Sequence, residues 1–159
     1  MTLLRRGWYF EEFEPGMEIT TQGRTITEAD IVNFAGLSGD YNPAHTDEEF
    51  ARTTPFGRRI AHGLLVTSVV SGLAMQTGIL EGTVIAFREI KDWRFAKPVF
   101  IGDTVHAVLR VEATKALPRL GGGAVDIRIT VKNQRGETVI RGTWTVLVAA
   151  RPQSEDAEA

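Results

Sequence analysis

Two spacings of apolar residues divide the chain. From about residue 83 onward apolar and polar positions alternate. Val105, Ala107, Leu109 and Val111 fall on one side and His106, Arg110 and Glu112 on the other. Val125, Ile127, Ile129 and Val131 alternate with Asp126, Arg128, Thr130 and Lys132, and Gly142, Trp144, Val146 and Val148 share one face of a last segment. A period of two is that of a strand with one face buried and the other wet. Pro98 and Gly102, the stretch Pro118 to Gly123, and Gln134-Arg135-Gly136-Glu137 break this region into four strands: Thr83–Phe95, Asp103–Ala116, one around Val125–Val131, and Val139–Ala149.

Before residue 83 the spacing is helical. After a weak strand over Glu18–Ile26, Thr27-Glu28-Ala29-Asp30 reads as a capping box opening a helix that carries Ile31, Val32, Phe34 and Ala35 and stops near Ser38-Gly39. Thr46-Asp47-Glu48-Glu49 reads as a second box, opening a short helix through Phe50 and Ala51, with His45 just before its start. Leu64, Leu65, Val66, Val69, Val70, Leu73 and Ala74 predict a longer helix stopping near Gly78. Apolar residues occur on nearly every side of it, so it is expected to be largely buried, its small residues Ser68, Ser71, Gly72 and Ala74 letting a sheet come close. One buried helix followed by antiparallel strands is an α+β arrangement, and a sheet wrapped around one central helix is the hot-dog architecture. Its long open edge favours pairing with a second copy.

Length and charge narrow this little further. The 159 residues suit one domain, over 1–150, with the polar and acidic end 151–159 expected as a frayed tail. With 18 basic and 20 acidic residues and no basic run, nothing favours nucleic acid. The absence of cysteine removes disulfide, thiolate and cysteine-metal chemistry. The first residues carry no signal-peptide core, and the apolar stretch Leu64–Met75 is too short and too interrupted to span a bilayer. A cytoplasmic protein without membrane attachment is expected.

The chemistry concentrates in GDYNPAHTDEEFARTTPFGRRIAHG, Gly39 to Gly63. Asp40 follows a helix end, Asn42-Pro43 forces a turn, and His45 lies across that turn from Asp40. An acid and a histidine around one small volume can hold a water and move its protons. Gly63 opens the long helix, whose first N–H groups lack helical partners and sit at the positive end of its dipole. Without a side chain, Gly63 leaves room for a carbonyl oxygen to approach its N–H, as an enolate-stabilising donor requires. Together these groups specify hydration or dehydration beside a thioester carbonyl.

GDYNPAH, then TDEEFA, then AHG ahead of a helix rich in small residues resembles the MaoC-like dehydratases, which include the (R)-specific 2-enoyl-CoA hydratases of hot-dog fold. The resemblance runs from about Tyr9 to Val148. It implies that Asp40 and His45 are the catalytic pair and that the Gly63 N–H binds the thioester oxygen. It further implies that Asn42 supports the site and that Ser71 helps orient the aspartate region. The implied reaction is reversible hydration of a trans-2-enoyl thioester with (R) stereochemistry, without a cofactor or metal beyond the CoA or carrier protein of the substrate. Double-hot-dog relatives are about twice as long, so a single-repeat homodimer, open to further assembly, is expected.

Simpler roles compete for the same residues. Asp40 can bond the turn backbone, Ser71 can merely pack, and His62 reads as a hydrogen-bonded structural group beside a helix start. Asp40, His45, Asp47 and His62 do not form a tight ligand motif. Arg58-Arg59 reads as a solvated pair or a CoA-phosphate contact, and Lys91, Arg94 and Lys97 are further phosphate candidates. Trp93 and Trp144 read as core or interface packing. A hot-dog thioesterase tends to carry its carboxylate on the central helix, and no Asp or Glu lies between Leu64 and Gly78. A non-catalytic acyl-binding subunit is the remaining alternative, although such proteins usually lack the acid or the histidine.

Overall fold

Alternation and helical spacing meet face to face in the computed structural model, which describes residues 6–153. After a 3-10 turn at Phe10–Glu12 come β1 (Glu18–Thr20), β2 (Arg24–Thr25), α1 (Glu28–Ser38), α2 (Pro43–Thr46), α3 (Glu48–Arg52) and α4 (Gly63–Gln76). Four long strands follow: β3 (Val84–Phe95), β4 (Thr104–Leu117), β5 (Gly122–Lys132) and β6 (Thr138–Ala149). The sheet runs β1-β4-β5-β6-β3, with β2 also on β4, and every pairing is antiparallel. This is the single hot-dog fold, one sheet packed against one long helix.

In the sheet, two places differ from the sequence expectation. The strand expected over Glu18–Ile26 splits into β1 and β2 at Gln22-Gly23. The loop expected over Pro118–Gly123 instead holds a 3-10 turn at Pro118–Leu120, and β5 already begins at Gly122. There the Gly122 Cα faces the Val148 carbonyl so closely that a Cβ would lie 2.0 Å from its oxygen. Arg151, expected in the frayed tail, donates its backbone N–H to Glu11 (3.0 Å). The expected tail beyond residue 153 lies outside the described residues.

Packing, not propensity, holds α4. It has no side-chain cap and begins with glycine, and Val66, Thr67, Val69 and Val70 are β-branched. Each β-branched residue costs a helix at most about 0.7 kcal/mol relative to alanine, whereas burying a Val or Leu is worth about 1.5–3 kcal/mol. Leu65, Val66, Val69, Val70 and Leu73 are all buried, in one core with Ile127, Ile129, Val131, Ile140, Trp144 and Val146 from the sheet. Trp93 and Trp144 stack at 5.9 Å and 16°, and Trp93 closes over Gly142, where a Cβ would meet its ring at 2.3 Å.

The helix is not buried on every side. Leu64 is 64% and Met75 44% exposed, and between them Ser68, Ser71 and Gly72 face solvent. Of the small residues expected against the sheet, only Ala74 is in the core. β3 is likewise open: among the described residues it pairs only with β6, and Ile85, Phe87, Ile90 and Phe95 are exposed along it.

Candidate active site

The overhang between α1 and α4 is built from caps. Thr27 and Asp30 form the expected box at the start of α1, and Gly39 ends it in the left-handed region (φ 76°). The Asp40 N–H donates to Ser38 Oγ (3.1 Å), and the Asn42 N–H donates to Asp40 Oδ1 (3.2 Å), an Asx turn that bends the chain back. Asn42 Oδ1 then accepts from the Ala44 N–H (3.0 Å) and so caps α2, with Pro43 at its first position.

His45 lies on α2, not ahead of the following helix. The cap of α3 is Asp47, which accepts from the Phe50 N–H (3.0 Å), while the Thr46 hydroxyl donates to the Tyr41 and Asn42 carbonyls. Thr46 cannot cap α3 because it closes α2. Arg59 locks the overhang onto α1, bonding Glu48 of α3 (2.7 Å) and Glu28 of α1 (2.8 Å) while only 16% of its side chain is exposed. The hydrogen bonds it donates to Glu48 and then Glu28 raise its pKa above the ordinary arginine value.

This places Asp40, His45, His62 and Gly63 around one cavity of about 380 Å³, with Val66, Val99 and Ile140 among its apolar walls. Asp40 is exposed and His45 half-buried. His45 Nδ1 donates to the Ile60 carbonyl (2.7 Å); a carbonyl only accepts, so the proton is on Nδ1 and the lone pair on Nε2. Ile60 is itself fixed by a bridge to Phe100. His62 Nε2 donates to the Asp40 carbonyl (2.9 Å). Its ring lies against His45, with centroids 3.9 Å apart. Because that side chain turns away, it does not cap α4, and the N-terminal turn opens at the cavity wall.

Asn42 and Ser71 do not line the cavity. Asn42 acts one step removed, shaping the turn between Asp40 and His45, and the Ser71 hydroxyl donates to the Ser68 carbonyl (2.7 Å) on the exposed side of α4. His62, read from the sequence as a hydrogen-bonded structural group, makes that bond and also lines the cavity. Phe95 gave no signal, since only the path of β3 brings its ring over Gly63, where a Cβ would fall 2.5 Å from a ring carbon. The lack of a side chain at Gly63 therefore serves first to admit Phe95.

The cations named as phosphate candidates are mostly committed. Arg59 holds two glutamates, Lys91 bonds Asp126 (3.2 Å), Lys97 bonds Glu137 (2.6 Å), and Arg58 lies over the Phe100 ring. Arg94 pairs with no carboxylate among the described residues. Asp40, His45 and His62 bring ligand-type atoms within 4.8 Å of one another. The two rings are tilted by only 30°, however, so their in-plane lone pairs run side by side instead of converging as a chelate requires.

The description "MaoC like domain" matches residues 11–133. The chain is 39% identical to the (R)-specific enoyl-CoA hydratase of Rhodospirillum rubrum over 90% of its own length and 93% of that protein. It is also 39% identical to Protein MaoC of Klebsiella aerogenes, covering 86% of its own length but only 36% of that longer protein. A solved structure of a monoamine oxidase regulatory protein from Archaeoglobus fulgius superposes with a TM-score of 0.88 at 42% identity, over 95% of this chain and all of that one. With the hot-dog sheet and the cavity in place, a match over this much of the sequence means that the chain belongs to the MaoC-like dehydratase and (R)-specific enoyl-CoA hydratase family.

Proposed function

We propose that the protein catalyses reversible hydration of a trans-2-enoyl thioester to the (R)-3-hydroxyacyl thioester, with CoA as the carrier. The observation that carries this reading is the convergence of the Asp40 carboxyl, the His45 Nε2 lone pair and the N-terminus of α4 on one cavity with apolar walls. Water held between Asp40 and His45 adds its oxygen to C3. The pair takes one proton from it and returns one to C2, so no proton is gained or lost overall. The charge that builds on the thioester oxygen meets the Gly63 N–H and the positive end of α4. Dehydration runs through the same groups in reverse. The (R) stereochemistry follows the relative in Rhodospirillum rubrum, not the geometry.

The active form is a homodimer in this reading. The open edge of β3 and the stripe Leu64, Ser68, Ser71, Gly72 and Met75 on α4 are two exposed surfaces that a second copy covers together. Ser71 then faces the partner, the only direction left to it for influencing a site.

The test is loss of the enoyl chromophore of crotonyl-CoA, followed by enoyl-CoAs of graded length and branching, with Asp40→Asn as the control. Hydration that Asp40→Asn lowers by about 10²–10⁴-fold supports the reading. Hydration unchanged in that variant, or thiol release without hydration, overturns it. Light scattering at a mass twice that of one chain tests the dimer.

A further inference from the structure

His62 has no part in the chemistry just described, yet it touches both members of the pair that performs it. It is 1% exposed, in the floor of the cavity. Its two ring nitrogens are treated unequally. Nε2 donates to the Asp40 carbonyl, which fixes the proton there, and Nδ1 is buried with no hydrogen-bond partner among the described residues. A polar atom left unpaired at such depth costs stability, and a leucine or phenylalanine would avoid that cost. Two rings pack against it: that of His45, 3.9 Å away at 30°, and that of Phe34 of α1, 4.9 Å away at 57°. One side chain thus takes hold of the Asp40 main chain through an edge and of the His45 ring through a face.

We infer that His62 is a positioning residue, which sets the spacing and orientation of Asp40 and His45 from beneath the cavity. The inference rests on the hydratase reading above for its kinetic consequence, but not for its structural one. Asp40 is exposed, and among the described residues its carboxylate is held only by the Asn42 N–H. His45 is anchored at its Nδ1 edge by Ile60, a bond about which the ring can still tilt. The His62 donor removes freedom from the first and its ring face removes it from the second. The opposite tautomers follow: His62 carries its proton on Nε2 and His45 on Nδ1, which leaves a lone pair on His45 Nε2 to take a proton from water, while that of His62 Nδ1 is buried.

The two grips separate by substitution. His62→Gln retains an N–H at the reach of Nε2 but has no ring. His62→Phe retains the ring but leaves the Asp40 carbonyl without its donor. Crotonyl-CoA hydration is measured for both, with ¹⁵N NMR of the histidines in the wild type and in each variant. The expected wild-type spectrum assigns the Nε2–H tautomer to His62 and the Nδ1–H tautomer to His45. The expected kinetics are a fall in kcat of about 10²-fold for His62→Phe, the size of loss that a small misplacement of catalytic groups produces, and a smaller fall for His62→Gln, with KM moved by less than about threefold in both. A merely structural role would lower the melting temperature without this split between kcat and KM. Folded His62→Phe and His62→Gln with wild-type kcat overturn the inference, as does the Nδ1–H tautomer at His62. If His62→Phe does not fold, His62→Gln alone decides by the same criteria. An inactive wild type that shows the expected tautomers would defeat the hydratase reading and leave the positioning geometry standing.

Discussion

The sheet-and-helix body and the overhang that carries the acid/base pair are held by different forces. In the body Ile127, Ile129, Val131, Ile140 and Trp144 are each at most 2% exposed, and apolar burial dominates. In the overhang no residue of α2 is buried and only Ala51 of α3 is. Its shape comes from the Asx turn at Asp40, the caps at Asn42 and Asp47, and the two ion pairs of Arg59. Caps fix direction well but contribute only about 0.5–2 kcal/mol each. Stability therefore resides in one region and acid/base geometry in the other, and the two respond separately to substitution.

The sharpest test pairs one residue from each. His45→Ala is expected to lower hydration by about 10²–10⁴-fold, with a urea midpoint close to that of the wild type because the half-buried ring contributes little to the core. Ile127→Ala is expected to cost about 2–5 kcal/mol in urea unfolding, while the folded fraction keeps its kcat. If Ile127→Ala abolishes kcat at temperatures where it remains folded, the separation fails.

The seam between the regions is Gly63, where Phe95 of β3 lies on the start of α4. A methyl group there collides with the ring at 2.5 Å. Overpacking of a confined ring costs about 1–3 kcal/mol. Phe95 is 53% exposed and able to swing away, so Gly63→Ala is expected to fall at the low end in stability. Activity should suffer more, by up to about 10²-fold, because the methyl and the displaced ring both crowd the donor. Phe95→Ala in the same chain should relieve the stability loss, with a coupling above about 0.5 kcal/mol in a double-mutant cycle. Additive effects would show that the two do not meet.

Arg59→Ala probes the overhang without touching the cavity. It removes both ion pairs, and with Glu28 60% and Glu48 42% exposed the cost is expected near about 1 kcal/mol. Faster hydrogen exchange over residues 43–60, with little change in β5 and β6, is the expected pattern. Uniformly faster exchange would mean that the overhang and the body open together.

What the sequence made legible follows the same division. Period-two alternation and buried-helix spacing are local signals, and the four long strands, α1 and α4 lie close to where those signals place them. The Asp40 turn was readable because Asn, Pro and Gly each dictate their own backbone. The misplacement of His45 arose where one hydroxyl, that of Thr46, had two possible jobs, and the Asn42 cap with Pro43 behind it claimed it for α2. The exposed stripe of α4 was invisible because apolar spacing does not distinguish a face covered by the sheet from one left open. Phe95 over Gly63 and His62 against His45 depend on long-range register that no window of sequence contains.

The smallest expected effect lies in the β5–β6 hairpin, next to the start of β6, whose Ile140 walls the cavity. Glu137 accepts from Lys97 (2.6 Å), Asn133 (2.8 Å) and Arg135 (2.8 Å). These bonds, that of Lys97 foremost, lower its pKa from 4.5 to about 2. A carboxyl group whose pKa is lowered on folding stabilises the native state above its unfolded value and loses that contribution as pH falls to the folded value. The melting-temperature gap between wild type and Glu137→Gln should therefore be constant near neutral pH, shrink from about pH 4.5 and vanish near pH 2. Salt should reduce it, since the side chain is partly exposed, at 34%. Lys97 also lines the cavity, so the Glu137 ion pair reaches the site through that side chain. An unchanged kcat in Glu137→Gln would place that contact within the body alone. A shifted kcat would mean that the body also holds the cavity mouth through Lys97, a second point beside Gly63 where stability and activity are coupled.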